Sequence, residues 1–219
     1  MKTALVLGAT GLVGTHLVQL LLADPRVHKV VVFVRRASGI IDAKLEEHII
    51  DFDSPSTWRH LVKGDILFSC LGTTLKQAGS QKAQFTVDYT YQYNFAVEAA
   101  SNTVPVYVLV SSASADPQSK LFYTRIKGEL ERDVKKLPFS RTAIIQPGLL
   151  AGRTRNERFG EKVAAGILNG VNALGLFRKY RPIPGITVAR AMINAALSAE
   201  TGIHVYTLED VFALGRSEL

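Results

Sequence analysis

Short continuous apolar runs alternate along the chain with longer segments whose apolar residues recur at helical spacing. The continuous runs predict strands that are buried on both faces, and the spaced ones predict helices that cover them. The predicted strands are Ala4–Leu7, Val30–Val34, His48–Phe52, Ile66–Leu71, Val106–Val110, Thr142–Ile145 and His204–Leu208. The predicted helices are Leu12–Leu22, Phe85–Ala100, Tyr123–Lys136, Glu161–Leu174 and Val188–Ala199.

This alternation determines the expected fold class. Strands that alternate with helices favour right-handed crossovers and a parallel sheet, and strands buried on both faces require helices on both sides. We therefore predict an α/β protein with a Rossmann-type, doubly wound parallel sheet. The regular alternation of strands and helices ends after Pro147. We expect one domain over residues 1–219, in which residues 149–186 form a small C-terminal cap.

The first predicted strand runs directly into a turn with three evenly spaced glycines, and the turn opens the first helix. Such a turn lets the backbone approach a pyrophosphate, which the free N–H groups at the helix N-terminus then hold. The position of the turn between the first strand and the first helix is stronger evidence for dinucleotide binding than the glycine spacing alone. The alternative is a purely structural turn. The dinucleotide-binding residues predicted here are Gly8, Thr10, Gly11, Leu12, Val13 and Gly14.

The end of the second predicted strand indicates which dinucleotide to expect. An acidic residue at this point binds the ribose 2′-hydroxyl of NAD, whereas this chain has Arg35 and Arg36. Guanidinium groups suit a 2′-phosphate by charge and geometry, so NADP(H) is the expected cofactor. Arg35 is the first choice for binding this phosphate and Arg36 the second. Two surface arginines that merely end a strand are the alternative. Asp51, at the end of the third predicted strand, could accept a hydrogen bond from an adenine amine, or it could be a solvated loop residue or a cap.

Tyr123 and Lys127 lie four residues apart, so they share one face of a predicted helix. A free phenol ionises only at about pH 10, and a neighbouring ammonium stabilises its anion. This helix follows the fifth predicted strand, and ligands bind at the carboxyl ends of such strands. A serine there can hydrogen-bond a substrate oxygen. The predicted catalytic residues are Tyr123, Lys127 and Ser112, with Ser111 as the alternative serine. A helix-capping pair beside a surface tyrosine is the competing interpretation.

In this order, the glycine turn, a serine, Tyr123-x-x-x-Lys127 and Pro147-Gly148 resemble the short-chain dehydrogenase/reductase superfamily. The resemblance covers nearly the whole chain and is to the extended and atypical branch. Residues 66–74, 127–129 and 147–150 are similar to the Tat-interacting-protein-like oxidoreductases, an atypical NADPH-binding group. Because the chain has no long N-terminal extension, a bacterial member is expected.

The resemblance assigns roles to further residues and implies a function. It places Leu71, Gly72 and Thr73 beside the cofactor and Pro147 near the nicotinamide amide, and Lys127 reaches the nicotinamide ribose. The expected function is that of an NADPH-dependent oxidoreductase, which transfers a hydride to or from a small carbonyl or alcohol substrate. The alternative is a non-catalytic, NADPH-responsive regulatory binding protein. The resemblance also implies a homodimer formed through the two long helices, although atypical members can be monomers.

Composition limits the class of protein. Of 219 residues, 47% are hydrophobic and 21% charged, which excludes disorder or a coiled coil as a description of the whole chain. No apolar run is long enough to span a membrane, so no membrane partner is expected. Cys70 is the single cysteine, and the five histidines lack the spacing of metal ligands, so we expect no metal. Without a recognisable secretory signal, a cytoplasmic location is predicted.

The net charge of +7 is concentrated late in the chain. Between Arg153 and Arg181 there are seven Lys/Arg residues and two Glu. This basic segment is either a solvated face or part of a pocket for an anionic group on the substrate, on the substrate side of the predicted cap. Nucleic-acid binding would rest on charge alone, because the chain shows no recognised nucleic-acid module. We expect no nucleic-acid partner.

Overall fold

The computed structural model describes residues 1–151 and 181–216. Seven of the described strands form one sheet: β1 (Lys2–Leu7), β2 (Val27–Val34), β3 (Leu45–Ile49), β4 (Ile66–Ser69), β5 (Val106–Val110), β6 (Arg141–Gln146) and β9 (Gly202–Thr207). All neighbours in this sheet run parallel, and their order is β3-β2-β1-β4-β5-β6-β9. The strand order reverses between β1 and β4, which is where open sheets of this kind bind their ligands.

Helices cover both faces of this sheet, and the alternation of side chains along β1 shows how. Ala4 and Val6 belong to one apolar core, whereas Leu5 and Leu7 belong to the other. The helices are α1 (Leu12–Ala23), α2 (Pro55–Trp58), α3 (Leu75–Ala78), α4 (Gln81–Phe85), α5 (Tyr91–Ser101), α6 (Phe122–Val134), α7 (Gly185–Leu197) and α8 (Glu209–Arg216). The predicted doubly wound α/β fold is confirmed, because successive strand residues point to opposite faces and both faces are buried.

The long helix predicted over Phe85–Ala100 contains an irregularity that matters for function. A π-helical turn, Thr86–Thr90, lies between α4 and α5. Within this turn Asp88 is fully buried, and its backbone carbonyl accepts a hydrogen bond from the side-chain amide of Gln92 at 2.7 Å. The same Gln92 accepts a hydrogen bond from the Ser69 hydroxyl at 2.7 Å, which fixes the turn against the end of β4. Single π turns of this kind are frequent at functional sites.

The main departure from the predicted elements is the third strand, expected at His48–Phe52 and observed as β3 over Leu45–Ile49. This is an edge strand with half-exposed side chains, so its register follows its pairing with β2 rather than its own apolar residues. The short helix α2 and the C-terminal helix α8 were not predicted. No helix in the described part of the chain has the length and apolarity needed to cross a membrane.

Most of the predicted cap lies outside the described residues. This applies to the predicted helix Glu161–Leu174 and to nearly all of the basic segment between Arg153 and Arg181. The described ends of the cap are two short strands that pair in parallel, β7 (Leu150–Ala151) and β8 (Ile183–Pro184). Their pairing brings the start and the end of the predicted cap together beside the carboxyl end of β6.

Candidate dinucleotide and catalytic site

The turn after β1 is built by close backbone approaches that only glycine permits. Gly8 has a φ of +75°, and a Cβ there would lie 2.7 Å from the backbone of Cys70. A Cβ at Gly14 would lie 2.0 Å from the Gly8 carbonyl oxygen. Gly11 is the N-cap of α1, and no side chain caps this helix end. The first N–H groups of α1 therefore stay available to an anion, as in a phosphate-binding turn.

A cavity of about 360 Å³ opens beside this turn, at the ends of β1 and β2. Its wall contains both arginines that follow β2, Arg35 and Arg36, and both side chains are exposed. Within the described part of the chain, neither guanidinium makes a hydrogen bond or an ion pair. Their positive charges are therefore available to bind a phosphate. The other lining residues are Gly8, Ala9, Thr10, Phe33, Val34, Ala37, Phe52 and Leu71.

Asp51 lies next to this cavity but is not part of its wall. Its carboxylate accepts the backbone N–H of Asp53 at 3.0 Å and the hydroxyl of Ser54 at 2.8 Å. Asp51 therefore caps its own loop, and the neighbouring ring of Phe52 forms the wall instead.

A second, smaller cavity of about 110 Å³ lies on the other side of Leu71, which lines both cavities. It brings together residues from the glycine turn, from the segment after β4, from the π turn and from the start of α6. Tyr123 and Lys127 both line it, as their four-residue spacing predicted. The remaining lining residues are Gly11, Leu12, Val13, Cys70, Gly72, Thr73, Asp88, Val110, Ser111 and Leu150.

The two candidate serines differ in position. Ser111 is buried and lines the small cavity, and its hydroxyl has no hydrogen-bond partner within the described residues. Ser112, the first choice from the sequence, does not line that cavity, and its hydroxyl lies 3.1 Å from that of Ser114. Since the Ser111 N–H still bonds to Ile145 O in the ladder with β6, the two serines continue the strand alternation and face opposite ways.

Lys127 and Asp88 form a buried ion pair under this cavity. The lysine is 4% exposed, and its Nζ lies 3.7 Å from Oδ1 of the fully buried Asp88. The same Oδ1 accepts the backbone N–H of Thr73 at 3.0 Å, whereas Oδ2 has no partner in the described part of the protein. Tyr123 is 43% exposed, whereas Lys127, one helical turn later, is shielded from water.

Sequence reasoning missed Asp88, although a signal was present. Residues 88, 92, 95, 96 and 99 form the buried stripe of the long helix. On such a stripe a carboxylate is unusual, because a buried charge is costly unless it is paired. An acidic residue on a buried helical face therefore marks a partner elsewhere in the fold, here Lys127.

Three further residues have supporting positions. Gly14 lies behind the turn that forms the cavities. The carbonyl of Pro147 accepts the N–H of Ala113 at 3.1 Å, and Pro147 lines neither of the two cavities. Burial raises the pKa of the Cys70 thiol well above its ordinary value, so Cys70 packs as an apolar residue against Met192. Among residues 1–151 and 181–216, no group of three or more His, Cys, Asp or Glu could hold a metal ion.

These features fit a nicotinamide dinucleotide. The uncapped helix end and glycine turn suit a pyrophosphate, and the two arginines, which have no partner among the described residues, suit an anionic group. In the small cavity, the Ser111 hydroxyl and Asp88 Oδ2 also lack partners within the described residues, and Tyr123 and Lys127 line the same cavity. The arrangement is that of a dinucleotide-binding protein.

Comparison with known proteins agrees with this class. The chain matches the family model for NAD(P)H-binding proteins over residues 8–158, and it belongs to that family. Among the curated relatives is protein FMP52, mitochondrial, of Coccidioides immitis, which is 33% identical over 100% of this chain and 98% of its own length. The fmp52 protein of Emericella nidulans, also named mitochondrial, is 36% identical over 92% of this chain and 90% of its own length.

Solved structures share the fold. A short-chain dehydrogenase/reductase superfamily protein from Agrobacterium tumefaciens with bound NAD has a TM-score of 0.68 and 15% identity, covering 94% of this chain and 77% of its own. At this identity the likeness concerns the fold alone.

These relatives correct one prediction and leave another without support. Both FMP52 proteins are named mitochondrial, which contradicts the predicted cytoplasmic location. The prediction was wrong because a single free cysteine and the lack of a recognised signal do not distinguish one reducing compartment from another. Both relatives are fungal, so they give no support to the expected bacterial source.

The buried pair can be tested by a double-mutant cycle of Asp88→Asn and Lys127→Met. Each single variant leaves an uncompensated buried charge or dipole, so we expect the double variant to be more stable than additivity gives, by about 1–3 kcal/mol. Urea unfolding of the four proteins measures this coupling. The exposed pair Lys2–Asp65, 3.4 Å apart, is the matched control and should couple by under about 1 kcal/mol. Additive effects at Asp88 and Lys127 would contradict the assignment.

Proposed function

We propose that this protein is an NADPH-dependent oxidoreductase of the atypical short-chain dehydrogenase/reductase type, acting on a small carbonyl or alcohol. The observation that carries the proposal is that Tyr123, Lys127 and Ser111 line one small cavity, which continues past Leu71 to the glycine turn. The stretches 66–74, 127–129 and 147–150 support membership of the Tat-interacting-protein-like group.

The chain's own residues divide the acid–base work. When bound, the nicotinamide cofactor supplies or accepts the hydride. In the reducing direction the carbonyl carbon gains that hydride, the carbonyl oxygen takes the Tyr123 hydroxyl proton, and solvent then returns a proton to Tyr123. The Lys127 ammonium stabilises the tyrosinate in the meantime, and Asp88 holds that ammonium in place. Ser111 donates its unpartnered hydroxyl to the substrate oxygen.

The preference for NADPH rests on Arg35 and Arg36. Both guanidinium groups are exposed on the wall of the larger cavity, and no acidic side chain stands there to accept a ribose hydroxyl among its described lining residues. A 2′-phosphate would receive charge-assisted hydrogen bonds from them.

Calorimetric titration with NADPH and with NADH tests this preference. We expect NADPH to bind at least about tenfold more tightly, because hydrogen bonds to charged groups contribute roughly 1.5–3 kcal/mol. Arg35→Gln should remove most of the difference, and Arg36→Gln less of it. Arg59→Gln, an exposed arginine that lines neither cavity, is the matched control. Equal affinities for NADH and NADPH would contradict the preference, and binding of neither would contradict the dinucleotide site.

Tyr123→Phe tests the acid–base assignment. Removing the hydroxyl takes away the proton donor, so turnover should fall by at least about 10²-fold while NADPH affinity stays unchanged. Tyr93→Phe on α5, which lines neither cavity, is the control. Retained turnover in Tyr123→Phe would refute the assignment. NADPH binding by the wild type without turnover of any carbonyl would favour the regulatory binding protein instead.

The two serines can be told apart by single substitutions. Ser111→Ala should lower kcat/KM by about 10²-fold, because it removes a hydrogen-bond donor aimed at the reacting oxygen. Ser112→Ala should leave kcat/KM nearly unchanged, since that hydroxyl pairs with Ser114. Steady-state kinetics with one aldehyde and NADPH measures both. The reverse order of effects would restore Ser112 as the site serine.

A further inference from the structure

A third cavity, of about 320 Å³, adjoins the catalytic one. Thr73 and Tyr123 line both cavities, so a molecule in this pocket lies beside Tyr123. The rest of its described wall is formed by Thr74 just before α3, Leu75 on α3, Gln81 and Gln84 on α4, and Phe122, the first residue of α6. We call this the α3–α6 pocket.

The wall of the α3–α6 pocket carries no ionisable side chain other than the Tyr123 phenol, as far as the chain is described. Leu75 and Phe122 supply apolar surface. The polar groups are neutral and partly engaged by the protein itself: the Thr74 hydroxyl accepts the Gln77 N–H at 3.2 Å, and the Gln84 amide donates to Thr73 O at 3.4 Å. A charged substrate group would lose part of its hydration against Leu75 and Phe122 without gaining a counter-charge from the described wall.

Two cations beside this pocket, Lys127 and Arg125, are already engaged, and the exposed Lys76 and Lys82 on α3 and α4 do not line it. Lys127 is held by Asp88 at 3.7 Å. Arg125 lies 5.8 Å from the centre of the Phe122 ring, but its guanidinium donates to Ser119 O at 3.2 Å and lies 3.9 Å from Glu129. Neither is therefore free to receive a substrate carboxylate.

We propose that the substrate is an uncharged carbonyl compound whose apolar group, of the size of one aromatic ring, lies in the α3–α6 pocket between Leu75 and Phe122. This rests on the proposed function, which it makes more specific. The pocket volume is at the low end of small-molecule sites, which favours a small compound. The carbonyl oxygen then faces Tyr123 and Ser111 at the border with the catalytic cavity.

Three aldehydes of one shape test the charge preference with NADPH as the reductant: benzaldehyde, 4-carboxybenzaldehyde and 4-(trimethylammonio)benzaldehyde. We expect kcat/KM for benzaldehyde to exceed that for either charged compound by at least about tenfold. Equal or faster turnover of a charged aldehyde would overturn the proposal.

A charge introduced at the pocket should weaken or cancel this preference. Leu75 is 49% exposed, so Leu75→Lys is tolerated by the fold and places an ammonium at the pocket wall. We expect it to raise kcat/KM for 4-carboxybenzaldehyde by about tenfold relative to benzaldehyde. Ile203→Lys on β9, at 51% exposure, is the matched control and should change neither value. A Leu75→Lys variant with the wild-type ratio would place the substrate elsewhere.

Binding of unreactive analogues separates this inference from the proposed function. Benzamide and 4-carboxybenzamide are titrated calorimetrically into the NADP⁺-saturated protein and its Leu75→Lys variant. Tighter binding of benzamide to the wild type, with the difference reduced or lost in the variant, supports the pocket even if no aldehyde is turned over, in which case only the proposed function fails. Tighter binding of 4-carboxybenzamide to the wild type, or binding of neither, overturns the pocket assignment.

Discussion

A single buried carboxylate joins three parts of the chain that line the small cavity. Asp88 lies in the π turn of the long helix, accepts the N–H of Thr73 after β4, and lies 3.7 Å from the ammonium of Lys127 on α6. Because the carboxylate of Asp88 and the ammonium of Lys127 are both buried, their pairing is costly to break. The position of α6, and with it the position of Tyr123, thus depends on a residue outside the Tyr-x-x-x-Lys motif.

The two ends of the candidate site differ in charge. Beside the glycine turn, Arg35 and Arg36 are exposed and unpaired within the described residues, which suits a phosphate. At the small cavity the lysine is paired with Asp88, and the adjoining α3–α6 pocket has a neutral wall as far as it is described. The positive charge proposed to attract the cofactor is therefore separated from the place where the substrate is proposed to bind. The net charge of +7 does not by itself indicate an anionic substrate.

Family membership and biological setting come from different kinds of evidence. The glycine turn and the strand order define an NAD(P)H-binding protein, in agreement with the family model and the shared fold. The cellular compartment is not encoded in this geometry. The mitochondrial names of the relatives therefore corrected a prediction that composition could not have made correctly.

Local pattern was sufficient for the parts of the protein that depend on near neighbours in sequence. Continuous apolar runs predicted the parallel sheet, the spacing of Gly8, Gly11 and Gly14 predicted the phosphate turn, and a four-residue spacing put Tyr123 and Lys127 on one wall. Each of these follows from the fixed periods of strands and helices. The exact third strand was not predictable, because an edge strand takes its register from its partner.

Tertiary structure decided everything that depends on which face of an element meets which neighbour. Ser111 and Ser112 are adjacent in sequence and point to opposite sides, so only the packing of α6 and the π turn selects Ser111 for the cavity. Asp88 acquires its role only when the fold brings Lys127 to it from 39 residues further along the chain. Asp51 is likewise engaged by its own loop. The sequence determined the chemistry that was available, and long-range packing determined which groups came into contact, because such contacts have no periodicity along the chain.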